Sequence, residues 1–345
     1  MHNYIVKVWI FTNFSEKALQ EHAKCDTLIT VIKKQDIDSP SGDDIRKKRS
    51  MSKMKKFLAV ALSAVVACGL FASCGKTPAA NGNDNTSGAS STAASDSAVE
   101  AIKAKGELVM YTNATFPPFE YLSDTSEAVG VDVDIAQAIA DELGVELKVE
   151  NVDFDSIVPS IQSGKGDIGA AGMTVTPERQ KEVDFSDTYA TSIQYIIVPE
   201  DVEVSKVEDL AGKAIGVQTG TTGDTLIAGE INGKEDEEGN KVEGVLQGTD
   251  AEEVQYKSAL EATQDLLNGR IDAVVIDKMP AESIVAKNDG LKCVELVYAD
   301  GSKTEESYGI CVAKGSDLTE VVNKVIKDLQ DSGKIDEFMV DHSNA

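Results

Sequence analysis

The chain has 345 residues and a formal net charge of −26 at pH 7. This acidic balance excludes a nucleic-acid partner, because affinity for a phosphate backbone comes from clustered Lys and Arg side chains. The three histidines, His2, His22 and His342, share no motif, so the sequence disfavours zinc and Ser-His-Asp chemistry, and we expect no cofactor. The length is sufficient for two packed units.

The N-terminal part of the sequence is typical of a secretion signal. Two lysines precede an apolar run at 57–70, and small residues lead to Cys74. The run is shorter than the roughly 20 residues that a membrane span needs. Its ending resembles a bacterial lipobox, although Phe71 stands where Leu is usual. We therefore predict a lipoprotein signal peptide at 54–73 and lipidation of Cys74 as the mature N-terminus, with Cys68 as the alternative.

The segments on either side of this signal are not predicted to fold. Because a signal normally begins a chain, we interpret residues 1–53 as a non-translated or dispensable extension and Met54 as the start. Residues 74–98 are rich in Ser, Ala, Asn and Gly, which is typical of a flexible tether. A lipidated cysteine and a tether predict anchoring at the outer face of the cell membrane, on the periplasmic side in a Gram-negative envelope.

From residue 99 the sequence alternates between short β-rich runs and amphipathic helical stretches. The helix at 133–143 is the clearest, with Ile135, Ile139 and Leu143 on one face and Gly144 at the C-cap. This alternation predicts an α/β fold with largely parallel sheets. The predicted elements, in chain order, are strand 108–112, helix 133–143, strand 145–149, helix 157–163, strands 167–172, 214–218 and 254–256, helix 258–267, strands 271–276, 292–297 and 308–312, and helix 318–330.

Two segments between these elements are given structural interpretations. A Gly-x-Gly-x-x-Gly sequence at 164–169 follows a helix and precedes a strand, which is the reverse of the order in a dinucleotide-binding motif. The charged segment at 234–241 is predicted to be a solvated loop insertion.

Polar residues follow three predicted strands at their carboxyl ends, where α/β sheets bind ligands. Arg179 has a planar guanidinium suited to a carboxylate. Residues 218–223 form a small-residue turn that opens a helix, whose free N–H groups attract an anion. Asp277 follows the strand at 271–276. A free α-amino acid needs this combination of an anion site and one acid. Each feature also has a structural alternative: Arg179 could lie on the surface, the turn could be an ordinary one, and Asp277 could cap a helix.

Five sequences of the chain, taken in order, resemble the family 3 bacterial solute-binding proteins, the amino-acid receptors of ABC importers. The resemblance extends from residue 108 to about 340 and implies an α/β, two-lobed periplasmic-binding-protein fold of the type II, hinge-closing kind. The sequences are YTNATFPPFEY at 111–121, GVDVDI at 130–135, GMTVTPER at 172–179, VDFS at 183–186 and GTTG at 220–223.

The resemblance also implies how the lobes are divided. One lobe comprises residues 99–191 with 306–345, and the other comprises residues 196–299. Two crossing strands, near 192–195 and 299–305, join them. Ligand binding then shifts the population toward a closed form that docks on a membrane permease, and no bond is broken.

Site residues carried over from the resemblance fall in both lobes. Arg179 is expected to pair with the ligand α-carboxylate, together with the N–H groups of Thr174 and Thr222. Asp277 is expected to take the α-ammonium, together with the Gly172 carbonyl and the Thr174 hydroxyl.

The same resemblance assigns contacts to the ligand side chain. Phe116 and Phe154 are expected to flank it, and Gln218 is a second polar contact. Asn113 stands where members that bind cationic amino acids commonly have an acid. The expected ligand is therefore a polar, uncharged amino acid.

We expect a monomeric binding protein and not an enzyme. Its expected partners are the amino acid, the permease and the membrane. Two alternatives stay open. One is a lipoprotein that senses amino acids without transporting them, and the other is a dehydratase-like enzyme on the same fold, with Glu120 or Asp153 as its acid or base. Cys293 and Cys311 are expected to be buried free thiols.

Overall fold

The computed structural model describes residues 97–235 and 239–343. The predictions for the N-terminal extension, the signal peptide, Cys74 and nearly all of the tether concern residues outside this part of the chain. Ser97 is the first described residue, and its hydroxyl accepts the Glu100 N–H and caps α1 (Ala98–Lys105). The same hydroxyl donates to Asp317, so the start of α1 is bonded to a distant part of the chain.

Five strands form the first sheet. β1 (Glu107–Thr112) lies between β5 (Glu146–Asn151) and β6 (Ile168–Gly169) and is parallel to both. β17 (Cys311–Val312) pairs with β6 in the antiparallel direction, and β7 (Asp184–Phe185) pairs with β17 in the same way.

The second sheet repeats this plan with five other strands. β10 (Ala214–Gln218) lies between β13 (Glu252–Tyr256) and β14 (Ala273–Asp277) and is parallel to both. β9 (Gln194–Pro199) is antiparallel to β14, and β15 (Leu291–Glu295) is antiparallel to β9. We call the first sheet with its helices the first lobe, and the second sheet with its helices the second lobe.

A two-stranded ribbon lies where the chain passes between the sheets. It pairs β8 (Ala190–Ser192) with β16 (Glu306–Tyr308) in the antiparallel direction. β8 leads directly into β9, and β16 leads into β17, so these two antiparallel strands enter their sheets from the ribbon. The predicted sheets were largely parallel because local pattern contains no information on such crossings, and the single strand predicted at 308–312 is two short strands.

Eight further helices occur in the described residues. The four predicted helices begin and end within two residues of α2, α3, α6 and α8, whereas α1, α4 and α9 were not predicted. The helices are α2 (Val131–Leu143), α3 (Ile157–Gln162), α4 (Pro177–Glu182), α5 (Thr222–Asn232), α6 (Ala259–Leu267), α7 (Lys278–Lys287), α8 (Leu318–Asp331) and α9 (Lys334–Asp341).

Short strands complete the fold. A three-stranded antiparallel sheet precedes α2, and two exposed short strands pair in the antiparallel direction at the ends of the segment predicted as a solvated insertion. The Gly-x-Gly-x-x-Gly sequence begins after α3 and ends in β6, in the order that was predicted. The remaining strands are β2 (Thr115–Phe116), β3 (Glu120–Leu122), β4 (Ala128–Val129), β11 (Lys234–Glu235) and β12 (Lys241–Val242).

The start of α2 packs tightly on the preceding turn. The predicted apolar face is buried, with Ile135 and Ile139 both 0% exposed. Gly130 has φ 134°, and a Cβ at this position would lie 2.2 Å from the Phe119 carbonyl oxygen. The Asp132 N–H donates to that same oxygen at 2.9 Å. Glycine therefore allows the helix to begin against the turn that leads into β3.

Both cysteines in the described residues are free thiols. Cys311 in β17 is buried as expected, and Cys293 in β15 is only half-buried. No helix of the described segments is long and apolar enough to cross a membrane.

Candidate functional site

A small cavity lies between the two lobes, and residues of both lobes line it. The structure brings all of the predicted site residues to its wall, together with Glu120, Ala171 and Thr221. The predicted residues are Asn113, Phe116, Phe154, Gly172, Thr174, Arg179, Gln218, Thr222 and Asp277.

Arg179 reaches from the first lobe to the second. It projects from α4, and its Nη1 donates to the Thr174 carbonyl at 2.7 Å while its Nη2 donates to the Gly220 carbonyl at 3.0 Å. The guanidinium carbon lies 5.3 Å from the centre of the Phe154 ring, within the range of a cation–π contact. Burial lowers the pKa of Arg179, but a guanidinium stays protonated at neutral pH. Arg179 is therefore a cavity cation and not a free surface side chain.

The N-terminus of α5 supplies a second anion-attracting element. The Thr221 hydroxyl accepts the Asp224 N–H at 3.2 Å, and the Asp224 carboxylate accepts the Gly220 N–H at 2.7 Å. These bonds fix the turn that precedes Thr222. Because Arg179 bonds to Gly220 in the same turn, the helix N-terminus and the guanidinium lie together, and both favour a carboxylate.

Asp277 is the acid on the second-lobe wall. It stands at the N-cap of α7, but its side chain makes no capping bond. Its Oδ1 instead accepts the Tyr308 hydroxyl at 2.6 Å, and its Oδ2 accepts Nε2 of Gln194 at 3.1 Å. Burial raises the pKa of Asp277 to about 7. Two neutral donors thus hold a carboxyl whose charge an ammonium would stabilise.

Sequence reasoning missed the residues that hold Asp277. Gln194 is fully buried in β9, and its Nε2 lies 3.3 Å from both the Thr222 hydroxyl and Glu306 Oε1. Tyr308 is also fully buried and comes from the ribbon strand β16. A polar residue at the start of an apolar run was the one signal for Gln194, and nothing local indicated Tyr308.

Asn113 and Gln218 are bonded to each other across the two lobes. Gln218 Nε2 donates to Asn113 Oδ1 at 3.0 Å. The same oxygen accepts the Thr115 hydroxyl at 2.6 Å, and Asn113 Nδ2 donates to the Val152 carbonyl at 2.6 Å. Each polar group of Asn113 therefore has a partner within the protein.

Glu120 on β3 is a carboxyl in the cavity wall that sequence reasoning named only for the enzyme alternative. It is 1% exposed, and its oxygens accept no hydrogen bond from any described residue other than the neighbouring acid Asp132. Burial, followed by the nearby Asp132 carboxyl, raises the pKa of Glu120 well above its ordinary value. By contrast, Asp153 is an exposed residue that is paired with Lys257 at 2.8 Å and does not line the cavity.

The aromatic residues form the apolar part of the wall. Phe116 on β2 is buried and packs against Phe119 and Tyr308, with ring centroids 5.9 and 6.3 Å away. Phe154 lies under Arg179 at the start of a short 3₁₀ helix. The cavity thus combines a cation, buried carboxyls and two aromatic surfaces.

Two lobes of the same strand order, joined by a ribbon and enclosing a cavity with groups of both charges, define a solute-binding protein. Comparison with known proteins agrees with this class. The model of the bacterial extracellular solute-binding proteins, family 3, matches residues 108–342, and the chain belongs to that family. The resemblance and the two-lobed fold are thereby confirmed.

Similar proteins have names that refer to amino-acid binding. The arginine-binding extracellular protein ArtP of Bacillus subtilis is 34% identical over 236 residues, covering 68% of this chain and 85% of ArtP. An ancestral arginine-binding protein solved with arginine is 37% identical, with a TM-score of 0.60 and coverage of 69% of this chain and 98% of its own. An ancestral arginine-binding protein solved with glutamine is 36% identical, with a TM-score of 0.60 and coverage of 70% and 99%.

Proposed function

We propose that this protein is the extracytoplasmic receptor of an ABC importer and binds a free amino acid between its two lobes. The observation that carries the proposal is the pairing of Arg179 and the α5 N-terminus with the acid Asp277 in one cavity. The first pair fits an α-carboxylate, with the N–H groups of Thr174 and Thr222. Asp277 fits an α-ammonium, with the Gly172 carbonyl and the Thr174 hydroxyl.

We base the class of ligand on Glu120. Apart from the neighbouring acid Asp132, no described residue bonds to its two buried oxygens, and a buried carboxylate needs a donor. A guanidinium donates several N–H groups in a plane and suits a carboxylate, whereas Asn113 is already bonded within the protein. We therefore propose arginine as the first ligand to test, with Phe116 and Phe154 flanking its side chain. This replaces the expectation of an uncharged ligand, which considered Asn113 alone.

Closure of the lobes would create the complete site. Arg179 belongs to the first lobe and Asp277 to the second, so a ligand that contacts both stabilises the closed form. We propose that residues 99–191 with 306–345 form one moving body, that residues 196–299 form the other, and that the ribbon between them is the hinge. The closed form would dock on the permease without any chemical step.

The remaining features of the proposal concern the site of action. We propose that the signal at 54–73 is removed, that Cys74 carries the lipid, and that the tether at 74–98 holds a monomeric receptor at the outer face of the membrane. Anchoring would keep the receptor near its permease.

Thermal unfolding with each of the twenty amino acids tests the proposal. A ligand at about 1 mM with a dissociation constant near 1 μM adds about 4 kcal/mol, a shift of roughly 8–16 °C in Tm for a domain of this size. We expect arginine to give such a shift. Arg179→Ala and Asp277→Ala should abolish it, whereas Arg270→Ala, which removes an exposed arginine paired with Asp265, should preserve it.

Two outcomes decide between the functions. If no amino acid shifts the transition, the receptor proposal is wrong. If arginine binds but a strain without this protein takes up labelled arginine at the normal rate, the protein senses the amino acid and does not transport it.

A further inference from the structure

Glu120 and Asp132 are two buried carboxyls held next to each other. They are 1% and 0% exposed. The contact between the start of α2 and the Phe119 carbonyl brings them together, because Glu120 follows Phe119 in the chain. Asp132 Oδ2 accepts the Gly172 N–H and the Tyr189 hydroxyl, each at 2.8 Å. Asp132 Oδ1 and both oxygens of Glu120 accept no hydrogen bond from any other described residue, and the two carboxyls are close enough to share a hydrogen bond.

The groups that face this pair do not neutralise two negative charges. Asp277 on β14 adds a third acid, and the hydroxyls of Tyr189 and Tyr308 are neutral donors. Arg179 lines the same cavity, but its guanidinium donates to two carbonyl oxygens. Two buried carboxyls in this position repel each other when both are ionised, and one proton between them removes the repulsion. Burial, followed by the Asp132 carboxyl, raises the pKa of Glu120 well above its ordinary value. Burial also raises the pKa of Asp132, to about 6, although hydrogen bonds from Gly172, Tyr189 and Glu120 lower it.

We propose that Glu120 and Asp132 share one movable proton that adapts the cavity to the charge of the ligand side chain. When a cationic side chain binds, the proton leaves to solvent and Glu120 accepts N–H groups as a carboxylate. When a neutral amide or urea side chain binds, the proton stays and the Glu120 hydroxyl donates to the side-chain oxygen. This inference rests on the proposed amino-acid receptor function.

A single cavity of this kind would bind both arginine and neutral amino acids of similar length. The solved ancestral arginine-binding proteins, one with arginine and one with glutamine, show that both ligands occur among similar structures. Asp277 also loses a proton when an ammonium binds, since its pKa is raised to about 7. Every amino acid has that ammonium, so only the difference between ligands reports on the Glu120–Asp132 pair.

Isothermal titration calorimetry on the purified full chain tests the proposal. Arginine, citrulline and glutamine are titrated near neutral and mildly acidic pH, each in buffers with different enthalpies of ionisation. The dependence of the observed heat on that enthalpy counts the protons released. At about pH 6 we expect arginine to release about one proton more than citrulline, and its affinity relative to citrulline to rise up to about tenfold per pH unit.

A pair of variants isolates the carboxyl responsible. Glu120→Gln should remove the difference in proton release and weaken arginine binding while citrulline binding persists. Asp141→Asn removes an exposed acid from the same helix as Asp132 and should leave the difference unchanged. The measurement on the unsubstituted protein does not depend on either variant folding.

The outcomes separate this inference from the proposed function. Equal proton release for arginine and citrulline overturns the shared proton. Arginine binding without measurable binding of citrulline or glutamine overturns the adaptation to neutral side chains. Failure of every amino acid to bind overturns the receptor function itself.

Discussion

At the scale of single residues, the site depends on groups that do not touch the expected ligand. Asp277 can remain in a buried position because Tyr308 and Gln194 each donate to one of its oxygens. Tyr308 comes from the ribbon, so one hydroxyl joins the proposed hinge to the acid that would receive the ammonium. This arrangement makes Tyr308 a positioning residue, since it acts on the ligand through Asp277.

Removal of that hydroxyl gives a prediction at the residue scale. Tyr308→Phe leaves a buried acceptor without its donor, and we expect a loss of about 1–3 kcal/mol in the free energy of unfolding, measured with urea. Amino-acid affinity should fall as well. Tyr111→Phe is the matched control, because the Tyr111 hydroxyl makes no hydrogen bond within the described residues. Equal effects of the two substitutions would show that Tyr308 has no particular role.

At the scale of elements, the start of α2 determines the geometry of the buried acids. Val131 and Asp132 donate their N–H groups to the carbonyls of Pro118 and Phe119 at 3.2 and 2.9 Å. Glu120 then follows directly in β3. The packing of one helix end on one turn thereby places both carboxyls of the proposed proton-sharing pair.

Two glycines that flank α2 make this dependence testable. Gly130→Ala would force a Cβ to within 2.2 Å of the Phe119 carbonyl at φ 134°, whereas Gly144→Ala, at φ 71°, meets nothing within 4 Å. We expect about 1 kcal/mol of destabilisation for Gly144→Ala, from the left-handed backbone conformation alone. Gly130→Ala should cost clearly more in urea unfolding and also weaken ligand binding. A similar cost for both substitutions would argue against the close contact.

The elements also show how far the sequence predicts this protein. Apolar periodicity located α2 and α8 closely, because their buried faces repeat every three or four residues. Apolar periodicity missed β9, because the direction and partners of that strand come from the ribbon. It also missed α4, because that helix is short and has no fully buried residue. All nine predicted residues line the cavity. They could be predicted because the motifs that resemble the family occur in order along the chain, so each residue could be matched to a position. Sequence reasoning did not connect Glu120 with Asp132, because the two carboxyls are brought together only by the contact between the start of α2 and the Phe119 carbonyl.

At the scale of the whole molecule, bonds between the lobes hold a closed arrangement. Gln218 bonds to Asn113, Arg179 bonds to Gly220, and Lys257 pairs with Asp153. The ion pair is exposed and contributes little to stability, whereas the other bonds lie at the cavity. The buried acids oppose this closed form at neutral pH, because Arg179 bonds to carbonyl oxygens and no cation of the described residues forms an ion pair with these acids.

This opposition predicts that the ligand-free protein loses stability as the pH rises. Asp277 in the folded chain binds its proton up to about pH 7, and Asp132 binds its proton up to about pH 6. In the unfolded chain both groups lose their protons near pH 4. Between these values the folded state binds more protons, so the free energy of unfolding decreases from pH 5 to pH 7. We expect Tm to be several degrees lower at pH 7 than at pH 5.

The same measurement with ligand and with variants assigns the effect to the cavity. Arginine at saturation supplies an ammonium and a guanidinium to the buried acids, and the added stability should be larger at pH 7 than at pH 5. The net negative charge of the chain is also smaller at pH 5 than at pH 7, and the lower repulsion between its charges favours the folded state at pH 5, as the buried acids do. Asp277→Asn should therefore reduce the decrease in Tm, whereas Asp300→Asn, at an exposed acid whose pKa is lowered by Ser302, should not. A ligand-free protein that becomes more stable from pH 5 to pH 7 would mean that the buried carboxyls are ionised throughout and that cavity closure does not depend on their protons.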